Sequence, residues 1–129
     1  MSYVGIVLLS HSHELVKGLE ALLKQIQPDV PLAVAGGTEA GEIGTDVFQI
    51  KNAIEMAMTS KGVVILFDLG SALINAELAI EMLGGNENIR LIDAPLVEGA
   101  YAAIIESGCG SAIDEVVAAA EAVKGLKKI

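Results

Sequence analysis

The sequence predicts an α/β fold built on a single open, parallel, four-stranded sheet with helices on both faces. Three observations carry this. Short apolar runs alternate with segments of helical periodicity along all 129 residues. Aromatic residues make up only 3% of the chain, so the core must be built from Val, Ile, Leu and Ala, which suits helices packed tightly on a parallel sheet. The run from Gly62 to Phe67 is apolar on both faces, the pattern of a strand covered from both sides.

Each element follows in order. Tyr3 to Leu9 reads as the first strand. Leu15, Val16, Leu19, Leu22, Leu23 and Ile26 then recur at helical spacing until Pro28 ends the segment. Val30 to Val34 is a short second strand, and Pro31, which has no N–H for a ladder, sends it to the sheet edge. Residues 35–46 form a glycine-rich loop longer than a typical strand-to-helix connection, and such loops are often functional. The next helix sets Val47, Ile50, Ile54, Ala57 and Met58 on its inner face. Gly62 to Phe67 is the third strand and ends in Asp68. Leu69-Gly70-Ser71-Ala72 opens a helix with Ser71 as its expected N-cap and Gly84 as its stop. Ile89 to Ile92 is the fourth strand, and Pro95 starts a helix where proline is tolerated. Ser111, with Asp114 and Glu115, is expected to cap a final helix reaching Lys124, Lys127 and Lys128, cations suited to a helix C-terminus. No linker or internal repeat interrupts the series, so residues 1–129 read as one domain.

Composition excludes several classes of function. The net charge is −9 with only eight Lys and Arg, which argues against nucleic acid and against an acidic membrane surface. A basic protein partner would be drawn to such a chain. The one cysteine, Cys109, cannot form an internal disulfide, and it reads as inert. No apolar stretch approaches membrane-spanning length and no positive segment precedes the first strand, so a cytoplasmic protein is expected.

Right-handed crossovers and an edge position for the second strand give the order 2-1-3-4, a flavodoxin-like arrangement. Its switch point lies between strands one and three, and open α/β sheets bind ligands there, beyond the carboxyl ends of the strands. His11 leaves the end of strand one and Asp68 the end of strand three, so the two are predicted to meet. A carboxylate that takes the proton of one imidazole nitrogen leaves the lone pair of the other pointing outward, as a base or nucleophile. Both histidines of the chain lie in Ser10-His11-Ser12-His13, and His13 falls in the first helical turn, facing another way into solvent. Anion-binding elements surround the pair: the helix start at Ser71 and the Gly44-Thr45-Asp46 turn, with its hydroxyl. Arg90, the only arginine, lies at the wrong end of the sheet, and neither glycine-rich nucleotide motif follows strand one. The site thus suits one small phosphoryl group without a bound nucleotide, and it implies no cofactor and no metal. Glu77 and Glu81 read as a solvated helix face.

Four segments carry a resemblance: Ile6-Val7-Leu8-Leu9-Ser10-His11-Ser12, Ile43-Gly44-Thr45-Asp46, Asp68-Leu69-Gly70-Ser71-Ala72 and Ala94-Pro95-Leu96-Val97-Glu98-Gly99-Ala100. In this order they resemble the DhaM family, phosphotransferase subunits of dihydroxyacetone kinase. The DhaM domain is of the mannose-type enzyme IIA family of the sugar phosphotransferase system. The resemblance runs from residue 3 to about residue 123. It implies a phosphoryl carrier in which His11 is transiently phosphorylated by the phosphocarrier HPr and passes the group to ADP held in the DhaL subunit. The ATP so formed serves dihydroxyacetone bound to the DhaK subunit. It further implies that Asp68 orients His11, that Gly70, Ser71 and Thr45 line the phosphate pocket, and that the protein is a homodimer. Some members carry HPr-like and enzyme I-like domains, for which this chain lacks the length, so it is expected to depend on the general phosphocarrier. The exchanged C-terminal strand of mannose-type domains is not expected, because residues 118–124 read as helical. Alternatives are the IIA component of a mannose-type sugar transporter, a non-enzymatic regulatory module on the same fold, and a structural subunit. A receiver-type module would need an acidic pair after strand one, where Ser10-His11 stands instead.

Overall fold

The computed structural model describes residues 2–129. Four parallel strands, β1 (Gly5–Ser10), β2 (Leu32–Gly36), β3 (Val63–Phe67) and β4 (Ile89–Leu91), form one sheet in the order β2-β1-β3-β4. The order is the expected one. Five α-helices surround the sheet: α1 (His13–Ile26), α2 (Val47–Ala57), α3 (Leu73–Met82), α4 (Leu96–Gly108) and α5 (Ile113–Glu121).

The alternation of β1 divides the core in two. Val4, Ile6 and Leu8 join the apolar side chains of α1, α4 and α5 on one face. Val7 and Leu9 join those of α2 and α3 on the other. With both faces covered, the central strands β1 and β3 carry no polar alternation, as parallel sheets require. In the ladder Leu9 lies level with Ala35 on one side and Phe67 on the other, so all three strands stop together at one edge. That common edge is where the chain exposes its polar side chains. Gly36 brings α1 against it, since a Cβ there would lie 2.6 Å from Val16 Cγ2 and 2.8 Å from the Cα of His13.

Several expectations shift. β2 begins two residues later than the sequence suggests; Val30 is buried but precedes it, and Pro31 contributes only its carbonyl, which accepts the Ile6 N–H at 2.9 Å. The edge position stands, because a residue without an N–H can still accept from one neighbour. On α2, Ile50, Ala53, Ile54 and Ala57 are buried, while Met58 lies at the C-cap and is 36% exposed. Pro95 occupies the N-cap of α4 rather than its first turn.

Two serines expected to cap helices do not. Ser71 lies inside a 3-10 turn, Gly70–Ala72, and α3 starts only at Leu73 with no side-chain cap. Ser111 stands one residue before the N-cap of α5, Ala112, and its hydroxyl donates to the Glu106 carboxylate instead. The tail is helical as expected, but α5 ends at Glu121 and a 3-10 turn, Ala122–Gly125, follows. Lys127 and Lys128 therefore lie beyond any helix; Lys124 pairs with Asp93 at 3.3 Å and Lys128 pairs with Glu98.

Candidate functional site

β1 ends at Ser10 and β3 at Phe67, and the next residue of each strand supplies the site. His11 Nδ1 lies 3.0 Å from Asp68 Oδ1, so the two side chains meet across neighbouring strand ends as the strand order predicted. Both are largely enclosed, with 19% of the His11 side chain and 15% of the Asp68 side chain exposed. The carboxylate accepts three further bonds. Oδ1 takes the Leu69 N–H at 2.7 Å, and Oδ2 takes the Ser10 hydroxyl at 2.7 Å and the His11 N–H at 3.0 Å.

Electrostatics follows from this shell. Burial by itself drives the Asp68 carboxyl upward, but donation from the Ser10 hydroxyl, the His11 ring and the His11 and Leu69 N–H groups outweighs it. The carboxyl is held below its ordinary range. Asp68 is therefore an anion at neutral pH and can only accept, which puts the imidazole proton on Nδ1. The second nitrogen, Nε2, then carries a lone pair in the neutral ring. It faces the Ser71 hydroxyl at 2.8 Å, which donates to it.

That contact explains why Ser71 caps nothing. Its hydroxyl has a partner 60 residues away in sequence that competes with the local N–H groups. Gly70 and Ser71 open the 3-10 turn, so their N–H groups have no partner inside it, and both residues are exposed. Thr45 follows Gly44, whose N–H reaches the His11 carbonyl, and precedes the N-cap of α2. Its hydroxyl accepts from the Asn75 side-chain amide at 2.8 Å, which ties the start of α2 to the first turn of α3. Asp46, the residue after it, caps α2 by accepting from the Phe48 and Gln49 N–H groups.

The long glycine loop is pinned to the same edge. Gly44 N–H donates to the His11 carbonyl at 2.9 Å and Gly37 N–H to the Ser10 carbonyl at 3.3 Å. Gly44 adopts φ +146°, and a Cβ there would come within 2.8 Å of Thr38 Cγ2, so a side chain would be strained and would displace Thr38.

His13 is exposed as the first residue of α1 and faces a separate hollow with Glu14, Thr38, Glu39 and Gln49. Cys109, Glu77 and Glu81 are exposed too. Arg90 lies mid-strand in β4 and pairs with Asp114 at 2.7 Å, away from the His11 end. Among the described residues, no group of three or more His, Cys, Asp or Glu side chains is close enough to share a metal ion. Two contributors escaped the sequence reading, Ser10 and Asn75. Ser10 left a signal: it places a hydroxyl where the Val4, Ile6, Leu8 alternation calls for an apolar side chain. Asn75 left none, since one amide on a helix is unremarkable until its neighbour is known.

The arrangement compares closely with known proteins. The family model described as "PTS system fructose IIA component", EIIA-man, matches residues 5–121. The PTS-dependent dihydroxyacetone kinase phosphotransferase subunit DhaM of Lactococcus lactis subsp. lactis is 40% identical over 110 residues, covering 84% of this chain and 86% of the relative. The phosphoryl donor subunit DhaM of the PEP-dependent dihydroxyacetone kinase 1 of Listeria innocua is 44% identical over 98 residues, 76% of this chain and 77% of the relative. The DhaM subunit of Escherichia coli K12 is 37% identical over 88% of this chain, which spans only 25% of that longer protein. Among solved structures, a protein of unknown function superposes with a TM-score of 0.83 at 33% identity, covering 95% of both chains. Among the described residues no helix is long and apolar enough to cross a membrane. By its family match across residues 5–121 and its identity to these subunits, the chain belongs to the EIIA-man family, among the DhaM-type phosphotransferase subunits.

Proposed function

We propose that this chain is the phosphoryl carrier of a phosphoenolpyruvate-dependent dihydroxyacetone kinase, with His11 as the residue that is transiently phosphorylated, on Nε2. One observation carries the reading: His11 Nδ1 lies 3.0 Å from the Asp68 carboxylate while Nε2 faces the exposed Ser71 hydroxyl. The names of the relatives, phosphoryl donor subunits of that kinase, support the same chemistry.

In the first step the Nε2 lone pair attacks the phosphorus of a phosphohistidine on HPr. The new N–P bond forms as the old one breaks, and its electron pair returns to the donor nitrogen. Asp68 stabilises the positive charge that the His11 ring acquires. In the second step an oxygen of the ADP β-phosphate in the DhaL subunit attacks the same phosphorus, and the pair returns to Nε2. Ser71 turns its hydroxyl from Nε2 to a phosphoryl oxygen, and Thr45 and the N–H groups of Gly70 and Ser71 supply the remaining donors. Donors without a full positive charge suit a carrier, because a phosphoryl group bound too tightly would be slow to leave.

The reading places the chain in the cytoplasm as a homodimer of single phosphotransferase domains, spending no cofactor or metal of its own. Its net charge of −9 suits a partner with a basic docking face. Incubation with phosphoenolpyruvate, enzyme I and HPr tests it. Acid-labile, base-stable labelling that is absent in His11→Ala is expected; labelling that survives in that variant overturns the assignment. Adding DhaL loaded with ADP then discharges the label, whereas discharge only to the IIB partner of a mannose-type transporter favours the transporter alternative.

A further inference from the structure

We propose that Ser10 is a positioning residue for His11: its buried hydroxyl clamps the Asp68 carboxylate in the orientation that keeps the imidazole proton on Nδ1. The inference rests on the carrier reading of His11 for its catalytic consequence, but not for its geometry.

Val4, Ile6 and Leu8 all point into the layer under α1 and α4, and Ser10 continues the same phase with 0% exposure. A hydroxyl at that depth is costly unless its donor and its acceptor are both used. Both are. The hydroxyl donates to Asp68 Oδ2 at 2.7 Å and accepts the Ser12 N–H at 3.0 Å. The Ser12 N–H therefore fixes the lone pair, and the proton is left with one direction, toward the carboxylate. Ser12 itself caps α1, so the chain of bonds runs from the helix start through Ser10 to Asp68.

The consequence lies in how the carboxylate is held. Oδ2 is anchored by the Ser10 hydroxyl and the His11 N–H, and Oδ1 by the Leu69 N–H. These three partners set the carboxylate plane before the imidazole is considered, and Nδ1 then finds Oδ1 at 3.0 Å. Ser107, the other fully buried polar side chain among the described residues, shows the contrast. Its hydroxyl donates to the backbone, to the Val4 carbonyl at 2.6 Å. Its role ends at the backbone, whereas that of Ser10 extends to the reacting ring. Without the Ser10 hydroxyl, Oδ2 keeps one donor, the carboxylate gains freedom to turn, and the ring proton is shared between the nitrogens. A ring protonated on Nε2 offers no lone pair there.

The test is nitrogen NMR of the ¹⁵N-histidine-labelled full chain at alkaline pH, where the imidazole is neutral, together with phosphoryl transfer from phosphorylated HPr. In the unchanged chain the Nδ1–H tautomer of His11 is expected alone. Ser10→Ala is expected to mix the tautomers and slow transfer by ~10-fold, the low end of the loss seen when a partner that orients a metal-bound imidazole is removed. Ser10→Cys fills the space with a slightly larger atom and replaces a strong donor with a weak one. It is expected to fold even if Ser10→Ala does not, and to show mixed tautomers. A folded variant of either kind that retains the pure Nδ1–H tautomer and the full transfer rate overturns the proposal. The tautomer is read without any phosphoryl donor, so failure of the unchanged chain to label on His11 would remove the carrier reading and leave the test of Ser10 intact.

Discussion

The two ends of the sheet differ in what their enclosed polar side chains hold. At the amino end of the strands, side chains bond to backbone carbonyls: Thr59 to Tyr3, Ser107 to Val4 and Lys61 to Gly110. At the carboxyl end they bond to one another: Ser10 and His11 to Asp68, Ser71 to His11, Asn75 to Thr45. Bonds to backbone are the common kind in folded proteins, and bonds between side chains are the minority. The first set satisfies carbonyls that the turns leave open. The bonds on Asp68 and His11 hold ionisable groups in a chosen protonation state. Thr59 and Ser107 therefore serve the fold, whereas Ser10, Asp68 and Ser71 serve the His11 ring.

The contrast can be broken by substitution, beginning with the largest effect. His11→Ala should abolish labelling from phosphorylated HPr while leaving the circular dichroism spectrum unchanged; residual labelling at the normal rate would move the carrier elsewhere. Asp68→Asn should slow transfer by about 100-fold or more, since an imidazole in the wrong tautomer loses its nucleophilic nitrogen. Single-turnover rates check this, and a loss under about threefold would leave Asp68 a helix-turn residue only.

Ser71→Ala should slow transfer by ~10-fold and alter stability by less than ~0.5 kcal/mol, because its hydroxyl satisfies no helix end. Loss of a true cap would cost ~1 kcal/mol, so chemical denaturation decides between the two roles. Ser107→Ala is the mirror experiment at the other end of the sheet. It should cost about 1–3 kcal/mol in the same denaturation assay, by leaving the buried Val4 carbonyl without its donor, and leave transfer untouched.

The smallest effect is the acid limb of stability. Asp68 titrates below its ordinary 3.8 in the folded chain, so as pH falls the unfolded chain takes up this proton first. The stability it contributes is complete well above 3.8 and is lost as pH falls through the lower folded value. Asp68→Asn lacks that contribution, so the stability gap between the two proteins should be constant near neutrality and shrink below about pH 4. A gap that widens on acidification would mean the carboxylate is strained rather than stabilised.

Much of this was legible in the residues. The meeting of His11 and Asp68 followed from the strand order that Pro31 and right-handed crossovers favour. The serines were not legible. Ser71 and Ser111 both precede apolar helical runs, the local signature of an N-cap. Each hydroxyl instead found a stronger partner, the His11 ring for Ser71 and the Glu106 carboxylate for Ser111. Capping rules describe competition among neighbours in sequence, and they cannot weigh an acceptor brought in by folding. The lysines of the tail were misread likewise. Helix polarity suggested a dipole partner, and the carboxylates of Asp93 and Glu98 supplied a nearer one.

The sequence by itself determined the sheet order and which strand ends are neighbours, because apolar periodicity, an edge proline and crossover handedness are properties of the chain alone. Only the tertiary structure decided which imidazole nitrogen is held and which is open. That choice depends on contacts of about 3 Å among Ser10, His11, Asp68 and Ser71, from two segments of the chain. A hydrogen bond is lost over a few tenths of an ångström and tens of degrees, a precision that only packing imposes.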